Sequence, residues 1–214
     1  MIKGAALLVA AVLAAGGAFY FACGAKESSA APSGFTLAVP AQDPWVGPTL
    51  PDFQLVERSE RKVALTELRG APFVFDFIFT TCSGPCPLMT SNMRALQDSL
   101  AGSDVRLVSF SVDPPTDTPA VLTRYADGFG ADKQRWLFLT GDETQVAAIA
   151  TAVMLPMKRA PAGEAPIGMQ VAHTTRFVVV DAKGVVRGMY DGQTNEGIQA
   201  AAARARWLAE HRDR

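Results

Sequence analysis

The sequence predicts one α/β domain behind an N-terminal segment that directs the chain out of the cytoplasm. Three observations lead to this prediction. Short apolar runs, such as residues 73–79, alternate with stretches of helical periodicity, such as 88–100. The chain closes on two strand-like segments joined by a short turn and followed by an Ala-rich helix. Residues 4–25 carry no charge. A length of 214 residues allows one ordinary domain plus such an attachment.

Residues 1–27 are predicted to anchor the protein in a membrane. The uncharged run is long enough to cross a bilayer, which takes about 20 residues, and is longer than the apolar core of a cleaved signal peptide, about 7–15 residues. Lys3 should stay inside, so the rest of the chain is exported to the periplasm. Two alternatives remain: a lipoprotein acylated at Cys23, and secretion after cleavage in the Ala14–Ala18 region. All three place the domain outside the cytoplasm.

A spacer and a globular domain follow the anchor. Residues 28–44 are rich in Ser, Ala, Pro and Gly and lack periodicity, which is typical of a flexible linker. The composition becomes globular from Trp45, so residues 45–214 are predicted to form the folded domain.

The order of predicted elements in this domain specifies its class. Strands are expected where short runs are apolar or β-branched, at 51–56, 62–65, 73–79, 105–112, 136–139, 175–181 and 185–190. Helices are expected where apolar residues recur with helical spacing or capping residues precede them, at 65–70, 88–100, 119–129, 142–153 and 195–210. Asp117 or Thr118 should cap the third of these, with Pro119 at its first position. This order is that of a thioredoxin-like sandwich with an inserted helix–strand unit.

Charge and cysteine content exclude two classes. The 20 basic and 21 acidic residues give a net charge of −1, so no basic surface for nucleic acid is expected. Three cysteines are too few for a disulfide scaffold. Cys82 and Cys86 are four residues apart, which favours a pair used for chemistry, although a structural disulfide remains an alternative.

The cysteine pair lies where a buried strand passes into a helix. Such turns expose their residues at the carboxyl edge of an open α/β sheet, where ligands bind. The free N–H groups and partial positive charge of the helix N-terminus should lower the cysteine pKa values. If the turn is helical, the spacing of Cys82 and Cys86 puts both sulfurs on one face. They can then bind a soft metal or close a disulfide.

The available ligands favour copper over zinc. Besides the two cysteines, the exported domain offers only His173 and His211, and His211 is expected in a solvated tail. Two sulfurs and the His173 imidazole suit copper, as Cu(I) or Cu(II), better than a four-ligand zinc site. The alternative is that His173 is not a ligand, because a lone histidine at the start of a strand often packs in the core or lies on the surface. The methionines at 154, 157 and 169 either add thioethers or fill gaps. Asp76 interrupts an apolar strand and either tunes the thiols or reaches a surface.

Several motifs together resemble the Sco/SenC family of copper chaperones. The segment 79–87, FTTCSGPCP, is similar to the family's strand end followed by C-x-x-x-C-P. The segment 111–118, SVDPPTDT, resembles S-x-D-P-x-x-D-T, and His173-Thr174 precedes a strand and hairpin as in the family. The segment 190–193, YDGQ, completes the match, whose order and spacing agree over roughly residues 48–208.

This resemblance implies a thioredoxin-like fold with copper held by Cys82, Cys86 and His173. It also implies delivery of copper to, or reduction of thiols for, the binuclear copper centre of cytochrome c oxidase. The partners would be the copper-bearing oxidase subunit and an upstream thiol reductant or copper donor. Asp113 matches the family's loop acid, which supports the site by contacting the ligand residues rather than the metal. Many members have acidic residues where this chain has Gly84-Pro85 and Ala172, so its site is expected to be less acidic.

Other functions remain open from the sequence. A metal-free thiol–disulfide oxidoreductase of the cell envelope needs only the cysteine pair. A copper sensor or electron-transfer protein would bind the metal without delivering it. A peroxidatic enzyme is disfavoured, because Phe79 stands where similar peroxiredoxins have Thr, three places before the cysteine. The sequence favours a metallochaperone over an enzyme, with thiol–disulfide reductase activity as the enzymatic alternative.

Overall fold

The computed structural model describes residues 45–155, 158–160, 171–172 and 174–212. Within these ranges, no helix is both long and apolar enough to cross a bilayer. The predicted anchor, residues 1–27, the predicted linker, residues 28–44, and His173 lie outside the described residues.

The predicted strands and helices are present, with bounds that differ by up to three residues. The strands are β1 (Gln54–Glu57), β2 (Lys62–Ala64), β3 (Phe73–Ile78), β4 (Arg106–Ser111), β5 (Trp136–Thr140), β6 (Lys158–Arg159), β7 (Val171–Ala172), β8 (Arg176–Val180) and β9 (Val186–Asp191). The helices are α1 (Leu65–Leu68), α2 (Cys86–Ser99), α3 (Pro119–Gly128), α4 (Glu143–Ala152) and α5 (Asn195–Glu210). Among the elements in the described ranges, only the short antiparallel pair β6–β7 was not predicted, because two-residue segments carry no periodicity.

A seven-stranded mixed sheet organises the domain, in the order β2-β1-β5-β4-β3-β8-β9. Strands β3, β4 and β5 are parallel neighbours, whereas the remaining pairs are antiparallel. The carboxyl ends of the three parallel strands therefore meet at one border of the sheet, which we call the carboxyl edge. The loops that follow Ile78, Ser111 and Thr140 all leave from it.

Strand β3 is buried on both faces, as its nearly continuous apolar run predicts. Phe73, Phe75 and Phe77 contribute to the core on one side of the sheet, and Val74 and Ile78 to the core on the other. Each buried phenylalanine stabilises the fold by about 1.5–3 kcal/mol. The strand is therefore a rigid support for the turn that follows it.

The chain enters β8 at the carboxyl edge, because β8 is antiparallel to β3. The Thr175 carbonyl accepts a 2.9 Å hydrogen bond from Gly192 N–H. The Asn92 side chain of α2 donates to the Gly192 carbonyl at 2.7 Å. Thr175 is thus fixed beside the helix that begins with Cys86.

Candidate metal centre

Proline placement starts α2 at the second cysteine. Pro85 is the N-cap, with φ −75°, and Pro87 follows within the first turn. Both lack an N–H, so neither leaves a donor unsatisfied at the helix start. Cys82 N–H donates to the Phe79 carbonyl at 3.2 Å, which closes the turn between β3 and α2. The two cysteines therefore lie at the carboxyl edge, as the sequence predicts.

The two thiols converge. Neither is in a disulfide, Cys86 is fully buried and Cys82 is 9% exposed. Their side chains are hydrogen-bonded to each other. A Cβ atom placed on Gly84 would lie 3.8 Å from Cys82 Sγ, so this glycine borders the more exposed sulfur. The pair can share a soft cation or be oxidised to a disulfide.

The predicted lowering of the cysteine pKa is wrong for Cys86. Burial raises the pKa of this thiol, and the hydrogen bond with Cys82 acts in the same direction. A hydrogen bond with the Phe79 backbone opposes them but does not reverse the shift. The local effect of a helix N-terminus is thus outweighed by loss of water around the sulfur. Cys86 is a protonated thiol at neutral pH.

Asp76 is a buried carboxylate within β3, and it does not reach a surface. Its Oδ1 accepts a 2.7 Å hydrogen bond from Ser109 Oγ, which in turn accepts 3.0 Å from Trp136 Nε1. Among the described residues, its Oδ2 has no hydrogen-bond partner. Burial raises the pKa of Asp76 to about 7, and its charge contributes to the raised pKa of Cys86.

Asp117 is the residue that the sequence analysis missed. It was considered as a helix cap, but Thr118 caps α3, accepting from Val121 N–H at 3.4 Å. The buried Asp117 carboxylate accepts instead from the Thr80 N–H at 3.2 Å and the Thr80 hydroxyl at 2.5 Å. It also accepts from the Ser111 hydroxyl at 2.6 Å. The sequence did contain a signal for this role. The segment 111–118 has a second acid, Asp117, that is not needed as a helix cap because Thr118 supplies the cap.

Asp113 lies in the same loop as Asp117 and is buried. Its N–H donates to Ser111 Oγ at 3.1 Å, and its carbonyl accepts from Asp117 N–H at 2.9 Å. Its charge adds to the burial that raises the pKa of Asp117. Asp113 thus shapes the loop that holds Asp117, and its predicted support of the ligands stays a prediction.

Hydrogen bonds of Thr90 and Tyr125 also stabilise the first turn of α2. Thr90 Oγ1 donates to the Cys86 carbonyl at 2.9 Å, and the Tyr125 hydroxyl lies 2.7 Å from the same oxygen of Thr90. Because the single hydroxyl hydrogen of Thr90 is donated to the Cys86 carbonyl, the Tyr125 hydroxyl is the donor in this second bond. This contact links α3 to the cysteine turn.

The third predicted ligand, His173, lies outside the described residues. In the described part of the chain, no three His, Cys, Asp or Glu side chains converge as a metal site. Met154 is exposed, at the turn after α4, and the methionines at 157 and 169 are also outside the described ranges.

His211 is not the solvated side chain that the sequence suggested. It is half-buried, stacks on Trp207 with ring centroids 4.6 Å apart, and its Nδ1 lies 2.8 Å from the Trp207 carbonyl. The adjacent Arg212 pairs with Asp104, just before β4, and contacts the Gly70 carbonyl, just before β3. His211 therefore lies at the edge of the sheet opposite the cysteines.

Comparison with known proteins places this site in a family. The family model described as SCO1/SenC matches residues 45–209, which includes both cysteines, the Asp117 loop and all elements of the sheet. The chain belongs to the SCO1/SenC family. The resemblance drawn from the motifs is thereby confirmed.

Two relatives illustrate the similarity. The SCO1 protein homolog of Bacillus subtilis is 35% identical over 146 residues, which is 67% of this chain and 74% of that protein. A protein of Stutzerimonas stutzeri named "Putative copper-binding protein" is 30% identical over 142 residues, covering 65% of this chain and 67% of that one.

Solved structures confirm the thioredoxin-like fold. A SCO1/SenC family lipoprotein from Bacillus anthracis superposes with a TM-score of 0.69 at 30% identity, covering 76% of this chain and 96% of that one. BsSco, described as having a disulfide switch and as a member of the Sco family of cytochrome c oxidase assembly proteins, superposes with a TM-score of 0.62. It is 30% identical and covers 77% of this chain and 98% of its own.

Proposed function

We propose that this protein binds copper through Cys82, Cys86 and His173 and delivers it to the binuclear copper centre of cytochrome c oxidase. We further propose that it acts from the outer face of a membrane, held by residues 1–27 through the linker 28–44. The Bacillus anthracis relative is a lipoprotein, which supports an anchored, extracytoplasmic location.

The observation that carries the proposal is the pair of reduced thiols, hydrogen-bonded to each other, at the carboxyl edge. Thiolate sulfur selects Cu(I) among the common biological metals, and an adjacent imidazole suits either oxidation state of copper. The Stutzerimonas relative's name and the oxidase-assembly description of BsSco point in the same direction.

Chain connectivity supports His173 as the third ligand. Thr175, two residues further along, is hydrogen-bonded to Gly192, which in turn accepts a hydrogen bond from Asn92 in the helix that begins with Cys86. A Cβ atom on Gly192 would collide with Met89, so this contact is close. Only Thr174 separates His173 from Thr175 in the sequence, and consecutive Cα atoms are about 3.8 Å apart, which supports a third ligand on this short stretch of chain.

The unequal exposure of the two thiols suggests the order of events. Cys82 is the less buried of the two, so it is the sulfur that an incoming donor or an acceptor thiol would meet first. Cys86 is buried and protonated, so it releases a proton when it becomes a ligand. Transfer then proceeds by exchange of these ligands for the thiols of the oxidase subunit. Because a disulfide has no thiolate to offer, an upstream reductant must keep the pair reduced.

Anaerobic Cu(I) titration of the reduced full-length protein tests the proposal. Wild-type protein should bind one copper per chain, and Cys82→Ser or Cys86→Ser should lose stoichiometric binding. His173→Ala should weaken binding, whereas His211→Ala should leave it unchanged, since His211 is at the opposite edge. Retention of one tightly bound copper by either serine variant would refute the copper-binding proposal.

A second function, thiol–disulfide reduction, is favoured by the same asymmetry. The thiolate of Cys82 would attack a substrate disulfide, giving a mixed disulfide and releasing one substrate thiol. Cys86 would then attack Cys82, which forms the internal disulfide and frees the second substrate thiol. Two electrons and two protons pass from the protein to the substrate. The disulfide switch described for BsSco supports redox chemistry at such a pair.

The His173→Ala variant separates the two functions. It should leave reduction of a disulfide in the oxidase copper-bearing domain intact, because imidazole has no part in that sequence of steps. If copper transfer from wild-type protein to the reduced apo-domain fails while disulfide reduction proceeds, the protein is a reductase.

A further inference from the structure

The Asp117 carboxylate joins the turn that leads to Cys82 to the end of β4. Its two oxygens receive the Thr80 N–H, the Thr80 hydroxyl and the Ser111 hydroxyl, at 2.5–3.2 Å. The side chain is fully buried, so water does not compete for these bonds.

Asp117 acts on the turn rather than on the sheet. The last register pair of β3 and β4 is Ile78 with Ser111, and the strands remain joined there by backbone bonds, including Val112 N–H to the Ile78 carbonyl at 2.9 Å. Thr80 lies beyond that pair. The carboxylate therefore fixes a segment that the sheet itself does not hold.

The fixed segment determines where the Cys82 sulfur lies. Only Thr81 separates Thr80 from Cys82, and Cys82 N–H is bonded to Phe79 on the other side of Thr80. The partner thiol is fixed independently, by α2 and by the bond from Thr90 to the Cys86 carbonyl. One thiol is held by a helix, and the other by a turn that depends on Asp117.

We propose that Asp117 is a positioning residue that holds the Cys82 thiol next to Cys86 and so raises the effective concentration of one thiol for the other. This deepens the proposed function, on whose dithiol it rests. A tethered pair closes to a disulfide more favourably than a loose one, because less conformational freedom is lost on closure.

Asp181 provides a matched control. Its nearly buried carboxylate also accepts three donors, Lys183 N–H at 2.8 Å, Val185 N–H at 3.0 Å and Arg187 Nε at 2.8 Å. It organises the β8–β9 hairpin turn at the opposite edge of the sheet. Asp181→Asn thus perturbs an equivalent hydrogen-bonded carboxylate without touching the cysteine turn.

The test is the thiol–disulfide equilibrium of the full-length protein with glutathione under anaerobic conditions at pH 7. A Cys82–Cys86 disulfide forms as one glutathione disulfide is reduced to two glutathione thiols, which takes up the two electrons and two protons. Alkylation and peptide mass spectrometry read the Cys82–Cys86 disulfide separately from Cys23.

Asp117→Asn should lower the equilibrium constant for disulfide formation about tenfold, or about 30 mV. Thr80→Val removes only the hydroxyl bond, so it should lower the constant by less than tenfold but by more than twofold. Asp181→Asn should leave the constant within twofold of the wild-type value. The proposal is overturned if Asp117→Asn stays within twofold or if Asp181→Asn causes an equal loss. Should Asp117→Asn fail to fold, Thr80→Val decides by the same twofold limit. No copper is added, so this measurement tests the role of Asp117 even if the protein does not bind copper.

Discussion

Two buried carboxylates near the cysteine pair have opposite hydrogen-bonding environments. Asp117, in the loop after β4, accepts from Thr80 and Ser111 through both oxygens. Asp76, in the middle of β3, accepts from Ser109 through Oδ1 only, and its Oδ2 has no partner among the described residues. Burial raises the pKa of both, but for Asp76 it reaches about 7.

This difference shows what hydrogen bonds do to a buried acid. Several donors offset much of the loss of hydration, so a carboxylate such as Asp117 can serve as a fixed anchor. A single donor does not, so Asp76 changes its protonation state near neutral pH. One acid shapes the cysteine turn, and the other makes the core around it sensitive to pH.

The largest expected effect is a pH-dependent stability due to Asp76. Because its pKa is raised in the folded state, folding takes up a proton between about pH 4 and pH 7, and the free energy of unfolding falls as pH rises through this window. A rise from 3.8 to about 7 corresponds to a loss of up to about 4 kcal/mol. Urea unfolding at a series of pH values measures this slope.

Asp76→Asn should remove most of that slope, leaving the smaller contribution of the same sign from Asp117. The exposed Asp52, which pairs with Arg69, gives the control Asp52→Asn, and this variant should keep the wild-type slope. A stability that rises from pH 4 to pH 7 in the wild-type protein would contradict the assignment to Asp76.

Loss of the well-bonded carboxylate should come second in size. Asp117→Ala leaves buried donors on Thr80 and Ser111 without an acceptor, which should lower the free energy of unfolding by about 3 kcal/mol. Ser111→Ala removes one donor and keeps the acceptor, so it should cost about 1 kcal/mol. Chemical unfolding at pH 7 compares them, and an equal cost for both variants would show that Asp117 is not the centre of this network.

Removing the single donor to Asp76 should have a smaller effect. In Ser109→Ala the Oδ1 bond is lost, so the pKa of Asp76 should rise above its wild-type value and the pH-dependent window should extend upward. Trp136 Nε1 also loses its acceptor, which adds a loss of about 1 kcal/mol. The unfolding series described for Asp76 reports both effects, and an unchanged window would mean that Ser109 does not stabilise the charged carboxylate.

The smallest expected effect distinguishes the two acids at the thiols. The charge of Asp76 contributes to the raised pKa of Cys86, so Asp76→Asn should lower that pKa slightly. Asp117→Asn should lower it less, because the charge of Asp76 is one of the larger causes of the shift. The rate of Cys86 alkylation at a fixed pH, read by peptide mass spectrometry, reports the thiolate fraction in both variants, and a larger increase in Asp117→Asn would reverse the roles given to the two acids.

The sequence predicted the features that depend on local patterns. The strands, the helices and the placement of Cys82 and Cys86 at a strand–helix turn follow from apolar periodicity and proline positions. The direction of the Cys86 pKa did not follow, because it depends on burial by residues distant in sequence. The role of Asp117 was missed for a similar reason, since Thr80, which it binds, lies 37 residues away.

The most direct test of the copper site is X-ray absorption at the copper edge of the Cu(I)-loaded, reduced protein. Two sulfur ligands and one imidazole nitrogen are predicted, with the nitrogen lost in His173→Ala and kept in His211→Ala. A coordination shell with a single sulfur, or one that His173→Ala leaves unchanged, would contradict the assignment of Cys82, Cys86 and His173 as the ligands.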